Sequence, residues 1–172
     1  LMTFEGAVEF NPTWVVSGFR LLYKSDPALP NADFHILVRA PISVEGLKPL
    51  MPITANLIEN RGRGRVTLAS ANPHDLPIIE DAMLTHPGDL AAMTAAMQFI
   101  YDFVQTDTLR EYYGPLIQPG PNDSWADFAK STYNSYHHGV GTCMMGPASD
   151  PAAVVDAGLR VHGLENLYVA DA

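Results

Sequence analysis

Two of the six histidines stand side by side as His137 and His138, at the head of a glycine-punctuated turn that runs Gly139-Val140-Gly141-Thr142-Cys143-Met144-Met145-Gly146. Imidazole has an unperturbed pKa near ~6.5, so a neutral histidine can take a proton at working pH. Glycine lacks a Cβ and lets the backbone turn sharply and come close to a flat ligand. These residues could therefore fix a general base against a planar group. By residue type alone, a structural histidine in a glycine-rich turn is the stronger reading.

Competing chemistries are poorly supplied. His35 sits in a strand-like run and His74 and His86 in proline-flanked loops, where each reads as structural or solvated. A metal site would have to combine His137 or His138 with Cys143 and His162. Adjacent histidines on an extended chain point to opposite faces, and no pair shows the short zinc-type spacing, so no metal is expected. Cys143 with His138 is a weak nucleophile pair, and Cys143 reads as a small buried thiol. As the single cysteine it excludes an intrachain disulfide. No Gly-x-Ser-x-Gly elbow and no Gly-x-Gly-x-x-Gly fingerprint is present.

The 172 residues carry a formal charge of −9, which argues against nucleic acid or an anionic membrane as partner. The basic cluster Arg61, Arg63 and Arg65 reads as a solvated turn leading into a strand. No apolar run approaches the roughly 20 residues that span a bilayer. A soluble protein is expected, with a cytoplasmic location favoured. The chain starts at Leu1 without an initiator methionine and stops within an apolar run, so the expectation is a piece of a longer polypeptide.

Stepping outward from the turn, β-rich runs bounded by Pro, Asn, Asp or Gly predict strands at 4–10, 15–23, 34–39 and 66–69. Prolines predict loops at 24–33 and 72–77. A helix is predicted from Pro87 at its first position, with Asp89 complementing the helix dipole. Its packed stripe is Leu90, Met93, Met97, Ile100, Tyr101 and Val104, at helical spacing. A shorter helix is predicted after Asn122 or Asp123 as cap, with Trp125, Phe128 and Ala129 inward. The aromatic residues Tyr101, Tyr112, Tyr113 and Trp125 read as core packing before any substrate entrance. Strands, a helix pair and then short strands predict an α+β fold with a mostly antiparallel sheet and flanking helices.

Three blocks in order carry a family resemblance. The stretch His138 to Gly146, then Val154-Val155-Asp156, then Leu159-Arg160-Val161-His162-Gly163-Leu164-Glu165-Asn166-Leu167-Tyr168-Val169-Ala170-Asp171-Ala172 resembles the C-terminal signature of the glucose-methanol-choline (GMC) flavoprotein oxidoreductases. Upstream, Arg61-Gly62-Arg63-Gly64-Arg65-Val66-Thr67-Leu68-Ala69-Ser70-Ala71-Asn72-Pro73 is similar to the family's "SRG-x-V-x-L-x-S-x-x-P" segment. Pro77-Ile78-Ile79, Leu84 and His86-Pro87-Gly88-Asp89-Leu90 match its continuation into a helix.

The resemblance implies the C-terminal part of a choline dehydrogenase-like or alcohol oxidase-like enzyme. Residues 1–135 would be the substrate-binding domain. Residues 136–172 would be the active-site histidine turn and a flavin-contacting segment, whose C-terminal strands complete the FAD domain of the full-length enzyme. The partner implied is a separate FAD-binding domain or chain, absent here. The resemblance makes His138 the acceptor of a small alcohol's hydroxyl proton while hydride passes to the flavin. It implies cofactor contact by His137, where the family usually carries a bulky residue, often tryptophan. Asp171 and Ala172 match its "D-A-S" step. There Asp171 would bond a ribityl hydroxyl or shape the turn, and backbone N–H groups near Ala172 would face the pyrophosphate. By itself Asp171 reads as a strand-end turn residue.

A second active-site His or Asn would lie beyond 172. The chain alone is therefore expected neither to retain FAD nor to turn over. Two other readings remain open: a non-catalytic relic or binding module, and a hydroxynitrile-lyase-like member of the same family.

Overall fold

In a computed structural model of the chain, residues 1–7, 19–43 and 45–171 are described. The expected strand residues 8–10 and 15–18 and the expected cofactor contact Ala172 lie outside them. The chain forms two compact units, Leu1–Arg63 with Ala82–Tyr133, and Gly64–Asp81 with Asn134–Ala172.

The first unit is built on a five-stranded sheet. In chain order its strands are β1 (Met2–Gly6), β2 (Arg20–Tyr23), β3 (Phe34–Val38), β4 (Leu50–Leu57) and, after a break, β7 (Tyr113–Gln118). Their spatial order is β2-β3-β4-β1-β7, with every neighbouring pair antiparallel. Alternation turns Phe34 and Ile36 inward, and Met2, Phe4 and Ile53 join them in the core. The sheet is thus the antiparallel one expected from the sequence, but β4 and β7 were not foreseen. Pro52 in β4 reads as a strand breaker. It is tolerated because the β3 ladder ends at Val38 opposite Ile53, one residue before it. In β7, Gly114 and Pro115 break the apolar run in the same way.

Helix α1 (Pro87–Val104) packs over this sheet, with α2 (Trp125–Thr132) against it. Pro87 takes the first helical position, and the His86 ring caps the helix by accepting the Gly88 N–H at 3.0 Å. Met97, Ile100 and Val104 are buried as expected, whereas Leu90, Met93 and Tyr101 are only half-buried. The deepest line instead runs through Ala92 and Ala96, whose small side chains let the helix lie close. The cap of α2 is Ser124, one or two residues beyond the expected Asp123 or Asn122, and its Oγ accepts the Asp127 N–H at 3.3 Å. Tyr101 meets Trp125 edge-on at 5.9 Å, and Tyr113 meets Phe4 at 5.7 Å. These rings are core packing, while Tyr112 is exposed.

Asp89 lies in the first turn of α1, as expected, and it is fully buried there. Its carboxylate accepts the backbone N–H groups of Arg61 and Gly62 at 3.0 Å each, and the Arg61 guanidinium at 3.2 Å. The Arg61–Gly62–Arg63 stretch is therefore a clamped loop and not a free solvated turn. Gly62 is required there, because a Cβ would run into the Ala82 carbonyl oxygen.

The second unit contains the hairpin of β5 (Arg65–Thr67) and β6 (Ile78–Glu80), paired antiparallel and tied by an Arg65–Glu80 ion pair. Its 134–171 segment has extended runs joined by single bridges, Met145 to Val155, Val155 to Val161 and Arg160 to Tyr168, around the buried Val155.

Removing the Asp89 carboxylate leaves the Arg61 N–H without its acceptor, while the Gly62 N–H keeps Asn60 Oδ1 at 3.0 Å, so Asp89→Ala should cost about 2 kcal/mol of unfolding free energy. Arg61 is half-exposed and its loss should cost about 1 kcal/mol or less. Urea denaturation of both variants checks this order. Equal losses would mean that the guanidinium, and not the backbone donors, is what Asp89 serves.

Candidate active site

The turn that carries His138 belongs to the second unit, as do His137 and Asp171. His137 has φ of 63°, the left-handed region that non-glycine residues enter rarely. Its N–H donates to Ser135 Oγ at 3.0 Å, which supports that conformation. The reversal sends the chain into His138, whose ring lies 5.2 Å from that of Tyr136 at an interplanar angle of 42°. Residues 136–142 are exposed. A second left-handed position follows at Gly141, with φ of 98°. Side chains built at Gly139 and Gly141 would meet nothing within 4 Å, so neither glycine serves packing within this chain. The arrangement leaves an imidazole on a tightly turned backbone with bare glycines beside it.

After the turn the chain is firmly held. Met144 O accepts the Val154 N–H at 2.8 Å, and Gly146 N–H donates to Val155 O at 2.9 Å. His162 donates its own N–H to Val154 O at 3.0 Å, and its Nε2 lies 3.0 Å from Gly146 O. Cys143 is half-buried rather than buried as expected, because it lies where the exposed turn meets this bonded segment. His162 and Cys143 do not join His137 or His138 in a ligand set: among the described residues no three His, Cys, Asp or Glu side chains gather as metal ligands would.

The segment from 156 to 169 folds back on itself. Asp156 N–H donates to Arg160 O at 2.9 Å, Val161 N–H to Leu167 O at 3.0 Å and Val169 N–H to Leu159 O at 3.0 Å. Asp156 Oδ1 accepts the Gly158 N–H at 2.7 Å and the Arg160 N–H at 3.0 Å. These donors, Arg160 first and Gly158 next, hold its carboxyl below the ordinary value of 3.8, helped by the charges of Arg160 and His162 and opposed by desolvation. Leu159 is thereby held at φ of 67°. Asp171 is exposed at the end of this run.

The remaining histidines sit where a structural reading puts them. His35 is half-buried in β3, His74 is exposed in the 72–77 loop and His86 caps α1. A shallow groove of about 610 Å³ beside α1, lined by Leu90, Ala91, Ala95 and Ala126 among others, holds none of the expected site residues.

Residues 60–172 match a family model described as GMC oxidoreductase. The chain belongs to the GMC oxidoreductase family. Among its curated relatives is an oxygen-dependent choline dehydrogenase of Brucella anthropi, 38% identical over 118 residues, covering 66% of this chain and 22% of the relative. Another is an oxygen-dependent choline dehydrogenase of Chromohalobacter salexigens, 34% identical over 151 residues, covering 83% of this chain and 27% of the relative. A third is versicolorin B synthase of Aspergillus parasiticus, 36% identical over 130 residues and covering 73% and 20%. The chain thus spans about a quarter of the length of these relatives or less. The solved pyridoxine 4-oxidase from Mesorbium loti shares the fold at a TM-score of 0.84 with 22% identity, covering 99% of this chain and 35% of that one. The GMC match includes the clamped Arg61 loop, both helices and the His138 turn. Among the described residues no helix is long and apolar enough to cross a membrane.

Asp156 is favoured in its ionised form by folding, so its contribution is complete above about pH 3.8 and is lost as pH falls through its lower folded value. Amide exchange at Gly158 and Arg160, corrected for intrinsic rates, should accelerate on acidification in that window. Asp156→Asn should flatten the dependence; if it does not, another group controls the loop.

Proposed function

We propose that this chain is the C-terminal part of an FAD-dependent oxidoreductase that acts on the CH–OH group of a small alcohol, with His138 as proton acceptor. The family match over 60–172 carries this reading. The exposed His138 imidazole and the bare backbone at Gly139 and Gly141 fit a planar group held close to the turn. Relatives named as choline dehydrogenases support an alcohol as substrate.

A neutral His138 nitrogen accepts the hydroxyl proton as the neighbouring carbon loses hydride. The two losses are coupled, because hydride departure from a neutral alcohol develops positive charge that deprotonation relieves. FAD, when bound, supplies the acceptor for the hydride. His137, turned at its left-handed position, directs the backbone beside His138. Asp171 would serve a ribityl hydroxyl or the turn itself, and backbone N–H groups near Ala172 would face the pyrophosphate. Residues 1–135 act as the substrate-binding domain and 136–172 as the flavin-contacting segment. An FAD-binding domain outside this chain completes the site.

In the full-length enzyme, His138→Ala should lower kcat/KM for alcohol oxidation by about 10²–10⁴-fold with FAD still bound. Unchanged turnover would remove His138 from this role. A full-length protein that binds FAD without reducing it on any alcohol would instead favour the lyase-like reading. The 172-residue chain expressed alone should carry no flavin absorbance, and stoichiometric flavin in it would contradict the division of the cofactor site.

A further inference from the structure

We propose that His162 is a positioning residue for His138, acting through its side-chain bond to the Gly146 carbonyl. The inference rests on the reading of His138 as base. The His138 turn hangs between two anchors. Upstream, Ser135 Oγ accepts the His137 N–H at 3.0 Å. Downstream, the chain is caught at Met144–Gly146 by Val154, Val155 and His162. Between them, residues 136–142 are exposed, lie in no helix or strand, and carry left-handed positions at His137 and Gly141. The orientation of His138 therefore depends on how firmly the two ends are held.

His162 is the side chain that ties the downstream anchor together. Its main chain donates to Val154 O, and its ring reaches 16 residues back to Gly146 O at 3.0 Å. A carbonyl only accepts, so Nε2 must carry the proton. The ring thus bonds one segment while its backbone bonds the other, on either side of the buried Val155. Gly146 allows the approach of its neighbour: a Cβ there would sit 2.9 Å from Ala153 Cβ. Without the ring N–H, Gly146 O loses this partner and the downstream end gains freedom. Small displacements of a catalytic group are costly, since about 1 Å can change a rate by 10²-fold.

The test uses the flavin-loaded full-length enzyme. His162→Phe keeps the ring volume and removes the donor, whereas His162→Gln restores an N–H donor at similar reach. His162→Asn is too short to bridge, and it serves if the Phe variant does not fold. The Phe and Asn variants, which cannot bridge to Gly146, should lower kcat by about tenfold or more, with KM within about twofold, and should speed amide exchange across 139–146. His162→Gln should recover most of both. Equal losses in the Gln and Phe variants, or unaltered exchange in His162→Phe, would overturn the proposal. So would faster exchange with kcat unchanged in an enzyme where His138→Ala is inactive. If His138→Ala keeps its activity, the base reading fails by itself, and exchange across 139–146 still decides whether His162 holds the turn.

Discussion

The buried carboxylate of Asp89 is the constraint on which the sheet unit depends. A charge taken fully out of water survives only with partners in place. Asp89 finds them in the Arg61 and Gly62 backbone and the Arg61 guanidinium. The same clamp sits where the chain leaves the sheet unit after Arg63, and Gly62 lies against Ala82, where the chain returns. One acidic residue thus pins the start of α1 to the exit of the chain. The helix so placed lays Ala92, Ala96, Met97, Ile100 and Val104 on the sheet.

The second unit solves a different problem with smaller means. In its 134–171 segment the apolar centre is little more than Val155, and the bridges are single. Backbone bonds, the Asp156 carboxylate and the His162 ring replace a large core. Local bonding of this kind can orient a loop that has little surface to bury. The left-handed positions at His137, Gly141 and Leu159 fall at or beside its sharp reversals, and at His137 and Leu159 side-chain acceptors hold the local backbone.

Much of this was legible from residue order. The alternation in 34–39, the proline-bounded loops, the helix opening at Pro87 and the three ordered motif blocks pointed to an antiparallel α+β domain of the GMC oxidoreductases. Strand β4 was hidden by Pro52 and β7 by Gly114 and Pro115, because a proline's harm depends on which edge of the ladder it meets. Asp89 was placed in the first turn, but its pairing with the Arg61 loop was not legible. Its separation from Arg61 by 28 positions leaves no local periodicity to reveal the pairing. Cys143 was expected deeper than it lies, since short apolar runs do not say on which side of a turn they sit.

Composition, period and motif order by themselves determined the family, the fold class, both helices and the candidate base, because these depend on residue chemistry and on spacing along the chain. Only tertiary structure decided which side chains hold the turn that carries His138. Ser135 acts from two residues away, within sight of any local reading. His162 acts on Gly146 across 16 residues. A hydrogen bond at that range exists only after two segments have folded against each other, so neither residue announces it alone.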